Sequence, residues 1–442
     1  MTIRMDEGAA ELLDTLHRAG YAAYVVGGCV RDSLLGLTPH DWDLCTSALP
    51  QQGMELFGEE KCIPTGLQHG TVTVRQGGGL YEITTFRTEG TYTDGRHPDE
   101  VHFVPDVRED LARRDFTINA MAYNEKEGLV DPFGGQTDLQ SGILRAVGVP
   151  HQRFTEDALR ILRLYRFAAR FGFSIDPPTA QAAQELCAHL DCVSVERIEE
   201  ELAKLLSAPA PAAYLDEKIL GVVLPELSPE ALAAAKPVVD ACPAGERALP
   251  VRLAALLLSL GEGGTRRTLR RLRCSNACIE ETAVLVREVV SGVPGAFSSD
   301  TNRAIPSPAL LPAATGSHPS GRSSEKLPAR PPVSLNIYTR KLLGQYGLKT
   351  VQRLAALGTA LQPEHAADFA ALSELAEQLD ADGVCCRVSQ LAVNGRDLMA
   401  AGVPSGPGIR KVLEALLDGV IREEYPNERQ ALLTAVQQLA AS

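Results

Sequence analysis

Hydrophobic and polar residues follow two different patterns along this chain. Before residue 148, apolar residues form short runs bounded by glycines and polar turns, which is typical of strands in a small sheet. These runs predict strands at residues 21–26, 71–75, 80–86 and 101–104. Apolar residues at helical spacing predict helices at residues 6–19 and 30–35. The first part of the chain is therefore expected to form a small α/β domain with a central sheet.

After Pro150 the apolar residues recur at helical spacing and strand signals are few. Helices are predicted at residues 155–171, 177–190, 194–207, 250–260, 265–273 and 277–290. Helical spacing resumes at Ile337 and continues to the end, with an interruption at residues 402–408. Residues 292–334 carry eight prolines and eight serines with almost no apolar period, so we predict a flexible insertion there. The fold class is expected to be α+β, with an all-α second part.

One polar stretch, VVGGCVRDSLLGLTPHDWDLCT, interrupts the apolar pattern of the first domain at residues 25–46. If residues 41–44 form a strand, the side chains of Asp41 and Asp43 lie on the same face. Two neighbouring carboxylates repel each other unless a cation lies between them, and oxygen ligands suit Mg²⁺. The paired glycines let the backbone approach a phosphate chain. Either feature alone is typical of a solvent-exposed turn, whereas together they indicate a nucleoside triphosphate bound through a metal.

This stretch resembles the nucleotidyltransferase signature, in which Gly-Gly-x-Val-Arg-Asp precedes Asp-x-Asp. More narrowly, it is similar to the bacterial class II CCA-adding tRNA nucleotidyltransferase and poly(A) polymerase superfamily. The resemblance implies that Asp41 and Asp43 are the catalytic residues and hold two Mg²⁺ ions for nucleotidyl transfer. It also implies that Gly28 and Arg31 secure the triphosphate.

A second charged motif is DLARRDFTINAMAYN, which contains Arg114 and Asp115. By itself such a motif is more often a surface charge cluster. In the family that the chain resembles, the corresponding residues contact the sugar and phosphates of the nucleotide. The residue types suit this role, because a carboxylate accepts hydrogen bonds from ribose hydroxyls and a guanidinium pairs with phosphate oxygens.

The predicted helix at residues 155–171 carries the third motif, with Thr155 as its expected N-cap. Asp157 and Arg160 match the family motif that reads the base. Cytosine and adenine both present an amine donor beside a ring-nitrogen acceptor, which an Asp–Arg pair complements, whereas uracil and guanine present the opposite order. Arg163 and Arg166 match further nucleotide or phosphate contacts, although helix geometry turns Arg166 about 180° from Asp157. The alternative is a solvated face whose charges pair with each other.

Composition changes this picture in two respects. A net charge of −13 is unusual for a protein that binds nucleic acid. The arginines are clustered at residues 160–170 and 266–273, however, so a local basic stripe is available. The ten cysteines have no metal-ligand spacing and fit thiols in a reducing cytoplasm. No signal peptide and no apolar run long enough to span a bilayer are present, so we expect no membrane partner.

The resemblance also predicts the organisation and function of the chain. It implies a head at residues 1–148, a helical neck at 149–207, a helical body at 208–291, the insertion at 292–334 and a helical body and tail at 335–442, elongated in overall shape. Residues 195–204 of this chain match a family motif that would brace the neck. Arg410 and Lys411 in the tail are candidate phosphate contacts. The expected reaction is template-independent addition of CCA to tRNA from CTP and ATP.

Three other functions remain open from the sequence. A poly(A) polymerase, or an enzyme that adds only CC or only A, would share the head and neck motifs. A catalytically silent RNA-binding module would have retained the fold, and transfer of a nucleotide to a small molecule would not need so long a helical second part. The intact acidic and Arg-Arg-Asp motifs favour an enzyme.

Overall fold

The structure is a computed structural model that describes residues 3–90, 101–290 and 334–441. The chain divides into two compact units, Met1–Glu226 and Leu227–Ser442. Of the predicted insertion at residues 292–334, residues 292–333 lie outside the described residues, as do residues 91–100. The five predicted domain boundaries remain a proposal.

A seven-stranded mixed sheet forms the centre of the first unit, in the order β3-β4-β5-β2-β1-β8-β9. Only the β2–β5 pair of this sheet is parallel, and the other pairs are antiparallel. β6 pairs with β7 and β10 with β11 in two smaller ladders. The strands are β1 (Ala23–Val26), β2 (Leu44–Thr46), β3 (Cys62–Gly66), β4 (Thr71–Gln76), β5 (Gly79–Thr85), β6 (Arg87–Glu89), β7 (Val101–Phe103), β8 (Ala122–Asn124), β9 (Gly128–Val130), β10 (Ile143–Leu144) and β11 (Ser174–Ile175).

Ten α-helices accompany these strands in the first unit. They are α1 (Glu7–Arg18), α2 (Gly28–Leu34), α3 (Pro50–Phe57), α4 (Val107–Ala112), α5 (Gly135–Ser141), α6 (Pro150–Glu156), α7 (Leu159–Phe171), α8 (Pro177–Leu186), α9 (Val195–Leu206) and α10 (Glu217–Val223). α4 packs on the sheet through Val107 and Leu111, which join Tyr24, Val26 and Phe86 in one buried cluster. Burial of these apolar side chains holds α4 against the sheet at β1.

The second unit consists of helices in its described residues, as the sequence predicts. Its α-helices are α11 (Pro229–Ala241), α12 (Leu249–Leu257), α13 (Gly261–Arg271), α14 (Asn276–Val290), α15 (Leu335–Tyr346), α16 (Leu348–Leu361), α17 (Ala366–Ala381), α18 (Gly395–Ala400), α19 (Pro407–Ile421) and α20 (Arg429–Ala441). The predicted interruption at residues 402–408 is confirmed, because α18 ends at Ala400 and α19 begins at Pro407. The predicted α+β class is also confirmed, with the large sheet confined to the first unit.

One predicted helix is in fact two. The structure breaks residues 155–171 at Asp157, which has extended backbone angles at the end of α6. Thr155 therefore lies inside α6, where its hydroxyl donates to the His151 carbonyl, and the N-cap prediction is wrong. The Asp157 side chain instead accepts the backbone N–H of Leu159 at 3.1 Å, at the first turn of α7.

None of the helices found in residues 3–90, 101–290 and 334–441 combines the length and apolar character that crossing a bilayer requires. Eight of the ten cysteine side chains are buried, which agrees with the predicted absence of a disulfide framework.

Candidate active site

Asp41 and Asp43 lie immediately before β2, the middle strand of the seven-stranded sheet. The predicted strand at residues 41–44 is wrong in its extent, because pairing by the strand begins only at Leu44. The Val26 amide nevertheless donates to the Asp43 carbonyl at 2.9 Å, which extends the β1–β2 contact by one residue. This bond holds Asp43 beside the turn that leads into α2. Both carboxylates are exposed to solvent.

The electrostatic environment of Asp43 is acidic. Partial desolvation raises the pKa of Asp43, and the negative charges of Glu82 and Asp41 raise it further, while Arg114 acts in the opposite direction. Glu82 is an exposed residue of β5, and the parallel register that joins Leu44 to Ile83 places Glu82 next to Asp43. Sequence reasoning missed Glu82, because a polar residue between two buried ones is the ordinary pattern of a strand. Only the strand pairing identifies it as a third acid of this site.

The acidic pair fits a divalent cation bound together with a substrate. Within the described parts of the chain, no three His, Cys, Asp or Glu side chains are grouped closely enough to hold a metal on their own. Mg²⁺ usually takes one or two protein carboxylates and completes its shell with substrate phosphates and water. The exposed carboxylates of Asp41 and Asp43 supply the oxygen donors that such an ion requires. The charge of Asp41 raises the pKa of Asp43, so the site also has the negative potential that attracts a cation.

Gly27 allows Arg114 to lie close to the backbone at the start of α2. Gly27 has φ of 77°, and a Cβ atom added there would stand 2.8 Å from Nη1 of Arg114. Arg114 also contacts Oδ2 of Asp110 at 3.4 Å and lies within the field of Asp43. By contrast, a Cβ on Gly28 would meet only the Arg31 side chain, at 3.6 Å. The glycine that the geometry requires is therefore Gly27, and the predicted Gly28 contributes the first residue of α2.

The Gly27→Ala variant is expected to lose about 1–3 kcal/mol of stability, because φ of 77° is strained for alanine. It should also raise KM for CTP, since the new methyl group displaces Arg114. Urea unfolding and initial-rate measurements check both effects. Gly53→Ala is the matched control, because that glycine lies in α3 with open space around its Cβ position. Equal behaviour of the two variants would contradict the assigned role of Gly27.

Arg31, predicted to contact the triphosphate, is buried behind the acidic pair. Its Nε and Nη2 bind Oδ1 of Asp32 at 2.8 and 2.7 Å, and its Nη1 donates to Oδ1 of Asn119 at 2.6 Å. The guanidinium also lies over the rings of Phe167 and Phe171, at 5.3 and 5.0 Å from their centroids. In this structure the side chain of Arg31 is thus engaged by α2 and α7, and it positions Asn119.

Asp115 joins the head to the neck. Its Oδ2 accepts two hydrogen bonds from Arg163 of α7, at 2.7 and 2.9 Å, and its Oδ1 accepts from Asn119 at 3.1 Å. Burial opposes ionisation of Asp115, but the charge of Arg163 and the hydrogen bonds from Asn119 and Arg163 lower the pKa of this carboxyl to about 2. Asp115 is therefore a charged, fully engaged carboxylate that fixes α7 against the head.

The pKa of Asp115 predicts a pH-dependent contribution to stability. Because the folded pKa of about 2 lies below the ordinary value of 3.8, the ionised carboxylate stabilises the fold above pH 4. This contribution is lost as the pH falls through about 2, and it amounts to about 2 kcal/mol at pH 7. The stability gap between the wild type and Asp115→Asn should shrink as the pH falls from 5 to 2, whereas the exposed control Asp191→Asn should show no such gap. Urea unfolding at several pH values measures it, and a pH-independent gap would contradict the assignment.

Arg166 and Arg163 share a second acid of the neck. Glu201 of α9 is buried, forms an ion pair with Nε of Arg166 and lies 3.6 Å from Nη1 of Arg163. The Arg166 guanidinium is centred 3.8 Å from the Phe167 ring centroid. Arg166 is itself buried, so the structure places it inside the packing of α7 against α9.

The side chains of Asp157 and Arg160, the predicted base-reading pair, do not bind each other; their contact is a backbone hydrogen bond from the Arg160 N–H to the Asp157 carbonyl, at 3.0 Å. Asp157 forms a two-pronged ion pair with Arg197 of α9, at 2.7 and 3.2 Å. Arg160 donates to Oε2 of Glu156 at 2.7 Å, to the Arg153 carbonyl at 3.2 Å and to the Arg113 carbonyl at 3.1 Å. Arg197 was expected only to brace the neck. The ion pair that joins Arg197 to Asp157, 40 positions earlier in the sequence, shows that Arg197 directly orients Asp157.

A cleft of about 690 Å³ lies beside Arg160, between β6 and α4 of the head and α6 of the neck. Its lining includes Arg113, Arg153 and Glu156, the residues that contact or flank Arg160. Arg160 itself is buried and does not line this cleft, although its hydrogen-bond partners Glu156, Arg153 and Arg113 do.

Family models of known proteins match three parts of this chain. The family model described as "Poly A polymerase head domain" matches residues 23–145, and one for domain 2 of tRNA nucleotidyltransferase matches residues 336–436. The model described as "Probable RNA and SrmB- binding site of polymerase A" matches residues 172–230.

Relatives and solved structures match over almost the full length of the chain. The CCA-adding enzyme of Lactiplantibacillus plantarum is 35% identical, over 99% of this chain and 97% of the relative. The CCA-adding enzyme of Geobacillus thermodenitrificans is 34% identical, over 96% of this chain and 95% of the relative. The crystal structure of the Bacillus stearothermophilus CCA-adding enzyme in complex with CTP has a TM-score of 0.78 and 29% identity, covering 99% of this chain and 98% of that one. The chain therefore belongs to the family of CCA-adding enzymes, which are tRNA nucleotidyltransferases.

Proposed function

We propose that this protein adds cytidine, cytidine and adenosine to the 3′ end of tRNA, using CTP and ATP and no nucleic-acid template. The observation that carries this proposal is the exposed Asp41–Asp43 pair beside Gly27 and Arg114 in a CCA-adding family member. A related structure binds CTP, and the Thermotoga maritima structure complexed with tRNA shares the fold, with a TM-score of 0.60 at 20% identity. Among the alternatives, a poly(A) polymerase, a partial CC- or A-adding enzyme and a silent RNA-binding module are not favoured by these relatives.

Asp41 and Asp43 are proposed to hold Mg²⁺, with Glu82 adding negative charge beside them. Mg²⁺ held by these carboxylates would lower the pKa of the attacking 3′-hydroxyl and would stabilise charge on the leaving pyrophosphate. Arg114, held over Gly27, presents positive charge to the triphosphate on the side of Asp43. Gly27 and Gly28 leave room for the phosphate chain at the start of α2.

Asp115 and Arg31 are proposed to serve this site by positioning other groups. Asp115 takes hydrogen bonds from both the head and α7, so it sets the distance between the triphosphate side and the base-reading side. Arg31 fixes Asn119, which donates to Asp115. A direct contact from Asp115 to the ribose would require exchange of one of the hydrogen bonds from Arg163, which is itself partly exposed.

Base reading is proposed to use the remaining hydrogen-bond capacity of Asp157 and Arg160. Oδ1 of Asp157 accepts from both Leu159 and Arg197, whereas Oδ2 accepts from Arg197 alone and retains a lone pair. A carboxylate has about four acceptor positions and a guanidinium five N–H donors, so each side chain can bind one more group. Oδ2 can accept the exocyclic amine of cytosine or adenine, and Arg160 can donate to the ring nitrogen. Uracil and guanine would leave these buried polar groups unpaired.

The organisation of the chain follows the same assignment. We propose a catalytic head at residues 1–148, a neck at 149–207 that reads the base through α7 and α9, a helical body at 208–291 and a body and tail at 335–442 that bind tRNA. Arg163 and Arg166 are proposed to fix the neck in the orientation that the nucleotide requires, through Asp115 and Glu201 respectively.

One assay tests the proposed function. The purified full chain is incubated with Mg²⁺ and tRNA transcripts that end before CCA, after C or after CC, with CTP, ATP or both, and the product ends are sequenced. Complete CCA ends that require both nucleotides support the proposal. Products that stop at CC, addition of A only to CC ends, or long A tails would assign the partial activities or poly(A) synthesis instead. If no transcript is extended, the remaining alternative is the catalytically silent RNA-binding module.

A further inference from the structure

Helix α13 carries a dense cluster of positive charge in an otherwise acidic protein. Residues 261–273 contain five arginines and one glutamate, whereas the whole chain has a net charge of −13. The buried residues of this segment, Thr265, Thr268, Leu269 and Leu272, lie on one side of the helix and pack it into the second unit. The arginines consequently occupy the outer side.

Three of these arginines form one exposed face. Arg267, Arg270 and Arg271 are related by three and four positions, so they are neighbours about 5–6 Å apart at their Cβ atoms. Helical geometry places them opposite the buried residues. We call Arg267, Arg270 and Arg271 the α13 basic face.

Two members of the α13 basic face have no acidic counterpart. Arg266, at its side, is neutralised by ion pairs with Glu262 and Glu280. Several exposed arginines elsewhere are paired, for example Arg410 with Glu414 and Arg422 with Asp418. In the described residues, no carboxylate forms an ion pair with Arg267 or Arg270. Like charges at this spacing destabilise a helix, so the cluster costs stability in the isolated protein.

We propose that the α13 basic face binds the sugar–phosphate backbone of the tRNA substrate, a role that rests on the proposed function. The clustered guanidinium groups of Arg267 and Arg270, which form no ion pair within the described residues, complement the regular negative charges of an RNA backbone. The large acidic excess of the chain repels RNA elsewhere, so a local basic stripe decides where the substrate is held. The predicted tail contact Arg410 is instead engaged by Glu414, which makes the α13 basic face the stronger candidate.

The double variant R267Q/R270Q tests this assignment. Its affinity for tRNA lacking CCA should fall about tenfold near 0.15 M salt, because two phosphate contacts are lost. The slope of log K against log salt should become less steep by about 2, and KM for tRNA should rise accordingly. R267K/R270K, which keeps both charges, should retain the wild-type slope.

The matched control is R18Q/R108Q, which removes the same charge from two exposed arginines that already have acidic partners. It should bind tRNA like the wild type. A slope for R267Q/R270Q equal to that of this control, with unchanged thermal unfolding, would overturn the proposal. If the wild type does not extend tRNA, the proposed function itself is wrong. If the wild type extends tRNA but R267Q/R270Q binds tRNA as the control does, only the assignment of the α13 basic face is wrong.

Discussion

Asp43→Asn is expected to lower the rate of CTP incorporation about a thousandfold, because the loss of one metal ligand removes several kcal/mol of transition-state stabilisation. Asp41→Asn should have an effect of the same order. Both residues are exposed and precede β2, so neither substitution removes a core contact and the fold should persist. Single-turnover extension by CTP of a tRNA lacking CCA measures the rate, and tRNA binding in the same buffer should remain near that of the wild type.

Asp14→Asn is the matched control for these variants. It makes the same chemical change at an exposed residue of α1 in the same unit, where the carboxylate only pairs with Arg18. Thermal unfolding of all three variants separates loss of activity from loss of structure. Near-wild-type extension by both Asp41→Asn and Asp43→Asn would remove the metal assignment, and with it the proposed mechanism of transfer.

Asp157→Ala is expected to relax the choice of nucleotide by about 10- to 100-fold. In the proposed site, a wrong base would set a carbonyl oxygen against Oδ2 of Asp157 and an N–H against Arg160, which costs about 1–3 kcal/mol. Removing the carboxylate removes this penalty for UTP and also weakens binding of CTP. The ratio of kcat/KM for CTP to that for UTP, and the same ratio for ATP against GTP, measures the effect.

Arg197→Gln provides a more specific test of the same site. Arg197 orients Asp157 by two hydrogen bonds and is assigned no contact with the base, so its loss should reduce discrimination in the same direction but less strongly. Lys204→Gln is the control, since Lys204 lies on the same helix and pairs only with the exposed Glu200. Unaltered discrimination in Asp157→Ala would rule out base reading by this carboxylate, whatever the behaviour of Arg197→Gln.

Local patterns predicted much of the fold because local interactions determine helices and turns. The predicted helix at residues 6–19 corresponds to α1, which is capped by the Asp6 side chain, and the predicted runs at 71–75 and 80–86 are β4 and β5. The division of residues 155–171 was not predictable in this way. Its sequence has good helix formers throughout, and the break at Asp157 is fixed by Arg197, 40 positions later.

The site was predicted in its residue types but not in its contacts. Asp41, Asp43 and Arg114 lie near each other as the motifs implied. Glu82 was missed because it joins them only through the pairing of β2 with β5. Arg31 was expected at the triphosphate, yet the structure buries it against Asp32 and Asn119.

By itself the sequence determined the family, the α+β class and the acids and arginines available for chemistry, since these depend on motifs within short segments. The tertiary structure decided which carboxylate each arginine binds. Arg163 reaches Asp115 across 48 positions, and Arg166 reaches Glu201 across 35. The physical reason is that a buried guanidinium requires a carboxylate at hydrogen-bond distance, whereas an exposed one does not. Burial is a property of the packed helices and sheet, so only the folded chain separates the arginines that hold the neck from those left to bind phosphate.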